Sequence, residues 1–411
     1  MTDIPNPNLM LEQVRSLPDL LRTSFEPLQN SIHSVLDKEL CRSIQRIIVT
    51  GCGDSHHAAL STELAIETLS GVADEPMTAL QCARYAVPAI ALVSEAGSDS
   101  SSPERGANLV IGISVSGSVA RTSEALAMAR KAGATTIALT AAPGSRVAEQ
   151  GDRLIDTSSV EAAWGVSIPA GVVIPGVRSF FINQLALLLI GVHLGEMRGR
   201  LSGQGAADIR SQILSMADAV EEAIVLSNDA ARRLAEELKD EGAESDGRKM
   251  LEMHILGGGP NYGTALFTAA KVLEASGDPV LAQDTEEWAH LQYFGRAKAT
   301  PTFLITAGER DLSRMIEIAE AARTIGRRVI VVSNRHAGRL VEQAAHFLET
   351  PRVPEMFSAL VTSIPGELFA AYRAETTGEP YFRGFGGGRS IEGGGGISRI
   401  RTSEVWEELP E

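Results

Sequence analysis

The sequence predicts an α/β protein made of two tandem domains, each a parallel sheet with helices on both faces. Three observations predict it. First, IVTGCGDSHHAALSTEL (48–64) runs from a β-branched apolar stretch through two glycines into a helical pattern. Second, MHILGGGPNYGTALFTAAKVLEASG (253–277) repeats that pattern at an ungapped offset of 206, which pairs Gly53 with Gly259 and Ser70-Gly71 with Ser276-Gly277. Third, at an offset of about 193, NLVIGISVSGS (108–118) pairs with TPTFLITAGER (300–310), and KAGATTIALT (131–140) with TIGRRVIVVSN (324–334).

Each half therefore reads strand, glycine turn, helix, strand, strand, polar loop, helix, strand. The expected organisation is a helical N-terminal segment (1–34), a first domain (35–200), a helical linker (201–245), a second domain (246–370) and a tail (371–411). The linker carries helical periodicity over 207–240 until EGAESDG breaks it. The apolar helix FFINQLALLLIGVHLGEM (180–197) is interrupted by Asn183, Gln184 and His193, so it reads as a buried core helix rather than a membrane span. The tail is rich in glycine and arginine. Glycine lets backbone approach a bound group closely, and arginine supplies charge for phosphate or carboxylate, so the tail is expected to order over a ligand.

Composition narrows the function. An apolar fraction of 44% and a charged fraction of 22% over 411 residues belong to a globular chain with two sizeable cores. A net charge of −15 without any basic stripe argues against nucleic acid. Cys41, Cys52 and Cys82 follow no disulfide or metal spacing, and the N-terminus lacks a signal-peptide pattern, which points to the cytoplasm.

Ligands of open α/β sheets sit beyond the carboxyl ends of the strands. Two polar loops belong there in the first half: Gly53-Asp54-Ser55, and the loop in which Ser114, Ser116 and Ser118 surround Gly117. Hydroxyls and free amides from two such loops make a phosphate cradle without fixed charge, although Ser116 or Ser118 alone would serve as a helix cap. The matching loop of the second half, TAGERD, carries acids instead, so one phosphate site per chain is expected. The second half holds the acid–base candidates. Lys271 and Glu274 share a helix face, either as a surface ion pair or as part of a site. Glu286, Glu287 and His290 surround Trp288, with Glu287 and His290 on one face if that segment is helical. One histidine with carboxylates is weak as a metal site but suits general acid–base chemistry. No Gly-x-Ser-x-Gly elbow marks a nucleophilic serine.

In their order and spacing these residues resemble the tandem sugar isomerase (SIS) domain proteins, and in particular the isomerase half of glutamine–fructose-6-phosphate aminotransferases. MLEQVRSLPDLL resembles that family's opening helix, GCGDSHHAAL its C-G-T-S-x-H-A, SVSGSVART its S-Q-S-G-E-T-A-D-T, and AAKVLEAS its A-L-K-x-K-E-I-S. The interval from Glu274 to His290 equals that between the family's catalytic glutamate and histidine. The resemblance implies that Ser55, Ser114 and Ser116 bind the sugar phosphate and that Glu274 moves a proton between C1 and C2. It also implies that His290 opens the ring from a neighbouring subunit, with Glu287 an adjacent acid. Departures are equally specific. Val119 stands at a phosphate-binding threonine, Val115 replaces a glutamine, and the 164–181 loop differs throughout. Arg399 aligns with the lysine that forms an imine with the ketose, which an always-protonated guanidinium cannot do. No glutaminase domain precedes residue 10, so ammonia release from glutamine is not expected.

The implied activity is isomerisation, deamination or deglycation of a 6-phosphosugar or amino sugar phosphate in a homo-oligomer, with no metal or cofactor. A non-catalytic phosphosugar or carbohydrate-derivative binder is the alternative.

Overall fold

The computed structural model describes residues 8–96, 107–158, 164–166, 168, 172–245, 248–296 and 298–382. Arg399 and the rest of the tail beyond 382 lie outside them, as does part of the 164–181 loop.

Two five-stranded parallel sheets carry the architecture. The first contains β1 (Arg46–Gly51), β2 (Ala73–Thr78), β3 (Asn108–Ile113), β4 (Thr135–Thr140) and β5 (Arg153–Asp156) in the order β2-β1-β3-β4-β5. A short antiparallel hairpin follows, β6 (Ala243–Ser245) with β7 (Arg248–Met250). The second sheet contains β8 (Met253–Gly257), β9 (Val280–Asp284), β10 (Pro301–Ile305), β11 (Arg328–Ser333) and β12 (His346–Glu349) in the order β12-β11-β10-β8-β9. Both sheets thus place their opening strand between the second and third strands. The chain reverses direction across the sheet at β1/β3 and at β8/β10, and each reversal opens a crevice at the carboxyl ends.

Every residue of β3, β4 and β10 is buried, as central strands covered on both faces must be. On one face of the first sheet Ile48, Val110 and Ala138 pack with Ala125, Leu126 and Ala129 of helix Ala120–Lys131. On one face of the second, Leu256, Leu304 and Val331 pack with Trp288, Met315 and Ile318. Phe303 meets Phe369 of helix Ile364–Thr377, with ring centroids 5.1 Å apart.

Contacts divide the chain differently from the sequence-based domain limits. Of the described residues, one unit takes those within 20–166 and 179–214; the other takes those within 8–19, 168–178 and 215–382. Helix Gly203–Leu238 runs through the 201–245 stretch, and its contacts divide at residue 214 between the two units. Residues 8–19 group with the second sheet. Helix Leu9–Arg15 buries Leu9, Met10, Leu11 and Val14, and Asn8 Nδ2 donates to Ala371 O at 3.2 Å. Helix Arg178–Met197 is long and apolar enough to cross a membrane by composition, yet 89% of its apolar window is buried within the protein.

Candidate functional site

In the unit of the first sheet, the β1/β3 crevice is built by close backbone approach. Gly51 ends β1, and a Cβ there would lie 2.6 Å from Ser55 Cβ and 3.1 Å from Ile113 O, so only glycine lets helix Asp54–Ser70 start this near β3. Gly53 caps that helix at φ 56°, ψ −127°, without a side-chain cap bond. Gly259 caps helix Pro260–Ala275 of the second unit in the same way, at φ 52°, ψ −129°. The helix start therefore offers amides and a positive dipole end. Ser55 is buried in its first turn. Asp54, also in that turn, sets its carboxylate at the end of the helix that an anionic ligand would use, 3.7 Å from His57 Nδ1.

The serine loop faces the same crevice from β3. Ser114 is buried, and its hydroxyl has no hydrogen-bond partner among the described residues. Ser116 and Ser118 are exposed, with their hydroxyl oxygens 2.8 Å apart. Gly117 turns the loop at φ 63°, where a Cβ would lie 2.0 Å from Ser145 Oγ. Val119 occupies the N-cap of helix Ala120–Lys131 and makes no side-chain cap bond, so the position lacks a threonine's hydroxyl. A buried orphan hydroxyl costs free energy unless something accepts its proton or donates to it.

Sequence reasoning did not single out the ion cluster beside this loop. Glu124, fully buried, receives Arg84 Nε at 3.2 Å and is paired with Arg121. Both arginines are thus held by a carboxylate on helix Ala120–Lys131. Burial, with His57 second, pushes the His56 imidazole down to about 4. His56 is therefore neutral near pH 7. Because its folded value is depressed, its contribution to stability is complete above pH 6.5 and is lost as pH falls towards 4. Acidification across that window should cost the parent about 1–2 kcal/mol through this group, after discounting for partial exposure. His56→Asn should flatten that limb of the melting-temperature profile; identical limbs would remove the assignment.

In the unit of the second sheet, the matching crevice has changed character. Thr306 Oγ1 donates to Asp311 Oδ1 at 2.5 Å. Asp311 Oδ2 would lie 3.4 Å from a Cβ on Gly258. Burial raises the Asp311 carboxyl to about 6. The acid over the β8/β10 turn is Asp311; Glu309 instead lies 3.8 Å from Arg352.

Lys271 and Glu274 come together, but not as a surface pair. Lys271 is fully buried, its Nζ 2.5 Å from Glu274 Oε2, 3.3 Å from Gly176 O and 5.0 Å from the Phe267 ring centre. Its ammonium is engaged by Glu274 and by the loop carbonyl. Glu274 keeps about a quarter of its side-chain surface exposed, so its carboxylate is both neutralised from within and open from without. Gln13 organises this place: its Nε2 donates to Pro175 O at 2.9 Å, and its Oε1 accepts from Val177 N at 3.0 Å. The loop that supplies Gly176 to Lys271 is thus clamped by the N-terminal helix. The only sequence signal was a buried-stripe position occupied by glutamine.

Segment Thr285–His290 is helical, capped by Asp284 and anchored by buried Trp288, whose Nε1 donates to His254 Nδ1 at 3.2 Å. His290 is exposed and pairs with Glu286 at 3.1 Å, not with Glu287. The Arg314 guanidinium, and after it His290, holds the Glu286 carboxyl below its usual range. Glu287 is exposed on the same short helix. No group of three or more His, Cys, Asp or Glu side chains among the described residues could hold a metal ion.

Comparison with known proteins agrees with this architecture. The SIS domain family model matches residues 40–177. A glutamine–fructose-6-phosphate aminotransferase (isomerizing) from Gloeobacter violaceus is 26% identical over 375 residues, covering 90% of this chain and 56% of its own length. The chain thus spans about half the length of the curated relatives it matches. The C-terminal domain of glucosamine-fructose-6-phosphate aminotransferase from Francisella tularensis superposes with a TM-score of 0.70 at 20% identity, over 90% of this chain and 96% of that one. Glucosamine-6-phosphate deaminase from Thermotoga maritima gives 0.57 at 17% identity, over 89% and 93%. Both sheets have the SIS architecture, and the chain resembles the isomerase half of the aminotransferases.

Proposed function

Starting from a chain with two SIS-type sheets, we propose that it is a phosphosugar-processing enzyme that moves a proton between C1 and C2 of a 6-phosphosugar or amino sugar phosphate. The observation that carries this is the β1/β3 crevice, where a buried hydroxyl without a partner among the described residues, two glycine turns and a helix start without a side-chain cap lie at the strand ends. Ser55, Ser114 and Ser116, with the backbone at Gly53 and Gly117, would hold the phosphate. Anchoring the phosphate far from the reacting carbons lets remote binding energy orient C1 and C2. Glu274 is the base: its carboxylate takes the proton from one carbon and returns it to the next through an enediol. His290 would open the ring and, because it is exposed, would serve a neighbouring copy of the chain in a cytoplasmic homo-oligomer. Arg399 would contact the substrate as a charged donor instead of forming an imine.

A non-catalytic phosphosugar sensor is the second reading. It is favoured by the existing pairings of Glu274 with Lys271 and of His290 with Glu286. Incubation with a panel of sugar phosphates in deuterated water separates the two. Deuterium at C1 or C2 supports the enzyme; thermal stabilisation without exchange supports the sensor.

The cradle has its own test. Ser114→Ala with Ser116→Ala should raise KM for phosphorylated substrates about tenfold and spare unphosphorylated analogues, since the two lost bonds at about 0.5–1 kcal/mol each sum to about 1–2 kcal/mol. Equal effects on both substrate types would remove the phosphate from this crevice.

A further inference from the structure

We propose a second anion site at the opposite end of the first sheet, formed by Arg42, Arg198 and Arg200 and suited to a small phosphate-bearing metabolite. The three arginines, with Ser70, Gly71 and Gly199, line one pocket of about 510 Å3. Arg42 precedes β1, and Gly71 precedes β2, so the pocket lies at the amino ends of these strands, whereas the serine cradle lies at their carboxyl ends. A six-residue strand separates the two by about 20 Å.

Each guanidinium is fixed by a main-chain carbonyl and keeps further donors. Arg42 Nε donates to Met197 O at 3.2 Å, and Arg200 Nε to Thr68 O at 2.9 Å. Arg198 NH1 donates to Cys41 O at 2.9 Å and Ile44 O at 2.6 Å. Gly71, at φ 70°, provides the space for Arg200: a Cβ there would lie 2.9 Å from its Cδ. A guanidinium has five N–H donors, so these bonds leave most of each fork available. Among the described residues none of the three makes an ion pair with a carboxylate.

Capping places one arginine at each of three helix C-termini, those of Lys38–Ser43, Asp54–Ser70 and Arg178–Met197, and brings all three side chains to the lining of one pocket in a chain of net charge −15. Arg42 and Arg200 are exposed, so water screens part of the repulsion between these like charges, and an anion among them would remove the rest. Planar forks match phosphate oxygens in pairs, and anchoring them beforehand lowers the entropy cost of binding. The depression is open to solvent on one side, so an organic part attached to the phosphate could extend outward from it.

The test is calorimetry with inorganic pyrophosphate on the full chain, in a Ser114→Ala/Ser116→Ala background that silences the cradle. This protein should still bind pyrophosphate, and adding Arg42→Gln with Arg200→Gln should weaken the affinity at least tenfold. Arg198 is left intact because its carbonyl bonds hold the chain before β1. Should the glutamine protein fail to fold, Arg200→Glu alone is expected to abolish binding. No binding to the serine-substituted parent, or unchanged affinity in the arginine variants, would overturn the proposal. Because the serines are absent throughout, the outcome does not depend on the function proposed for the cradle.

Discussion

Glu274→Gln should lower C1–C2 proton exchange on the order of 10²-fold or more, because the amide cannot take the proton. The same change should destabilise the fold, since it leaves the Lys271 ammonium buried without its counter-charge. Removing one partner of a buried pair costs about 3–5 kcal/mol. The partial exposure of Glu274 and the acceptor oxygen retained by glutamine reduce this to about 1–3 kcal/mol. Lys271→Met added to Glu274→Gln should restore most of the melting temperature and none of the exchange. Deuterium incorporation followed by NMR, with thermal melts of the three variants, reads both quantities. Full exchange in Glu274→Gln would exclude this carboxylate as the base. Recovered exchange in the double variant would show that the loss came only from misfolding.

Gly117→Ala should disable the serine loop more severely than loss of its hydroxyls. The added Cβ would lie 2.0 Å from Ser145 Oγ and 2.2 Å from Ser145 Cβ, on a residue held at φ 63°. A short serine side chain that caps the helix starting at Arg146 cannot swing clear. Steric overlap and left-handed backbone together should cost about 2–4 kcal/mol and shift Ser116 and Ser118. The expected readout is a KM for phosphorylated substrate raised at least thirtyfold, with a lowered melting temperature. Ser145→Gly in the same protein relieves the contact but not the backbone strain, so recovery should be partial. An unchanged KM in Gly117→Ala would mean that the loop does not touch the ligand.

Much of the fold was legible because its causes are local. Gly53 and Gly259 lie at matching offsets and adopt matching left-handed caps, since strand-to-helix turns of this kind need a residue without a side chain. The apolar runs of β3 and β10 read as strands because a strand covered on both faces is apolar throughout, and every residue of both is buried. Domain limits were less legible. The helix over 203–238 has one continuous periodicity, and nothing along it marks residue 214, where its packing partners change.

By itself, the sequence determined which residue types stand at the strand ends: glycines and serines after β1 and β3, acids after β10, and a lysine and a glutamate one helical turn apart. Tertiary structure decided what each of them meets. Glu286 rather than Glu287 takes His290 because Arg314, 28 residues away, orients the Glu286 carboxylate through two bonds of 2.6 and 2.9 Å. Lys271 became an internal partner of Glu274 because Gln13, 162 residues from Pro175, draws the Pro175–Val177 backbone over it. Helical spacing fixes which neighbours on one element can touch. Burial and choice of partner depend on chain brought from elsewhere, and that is set by the packing of the whole unit.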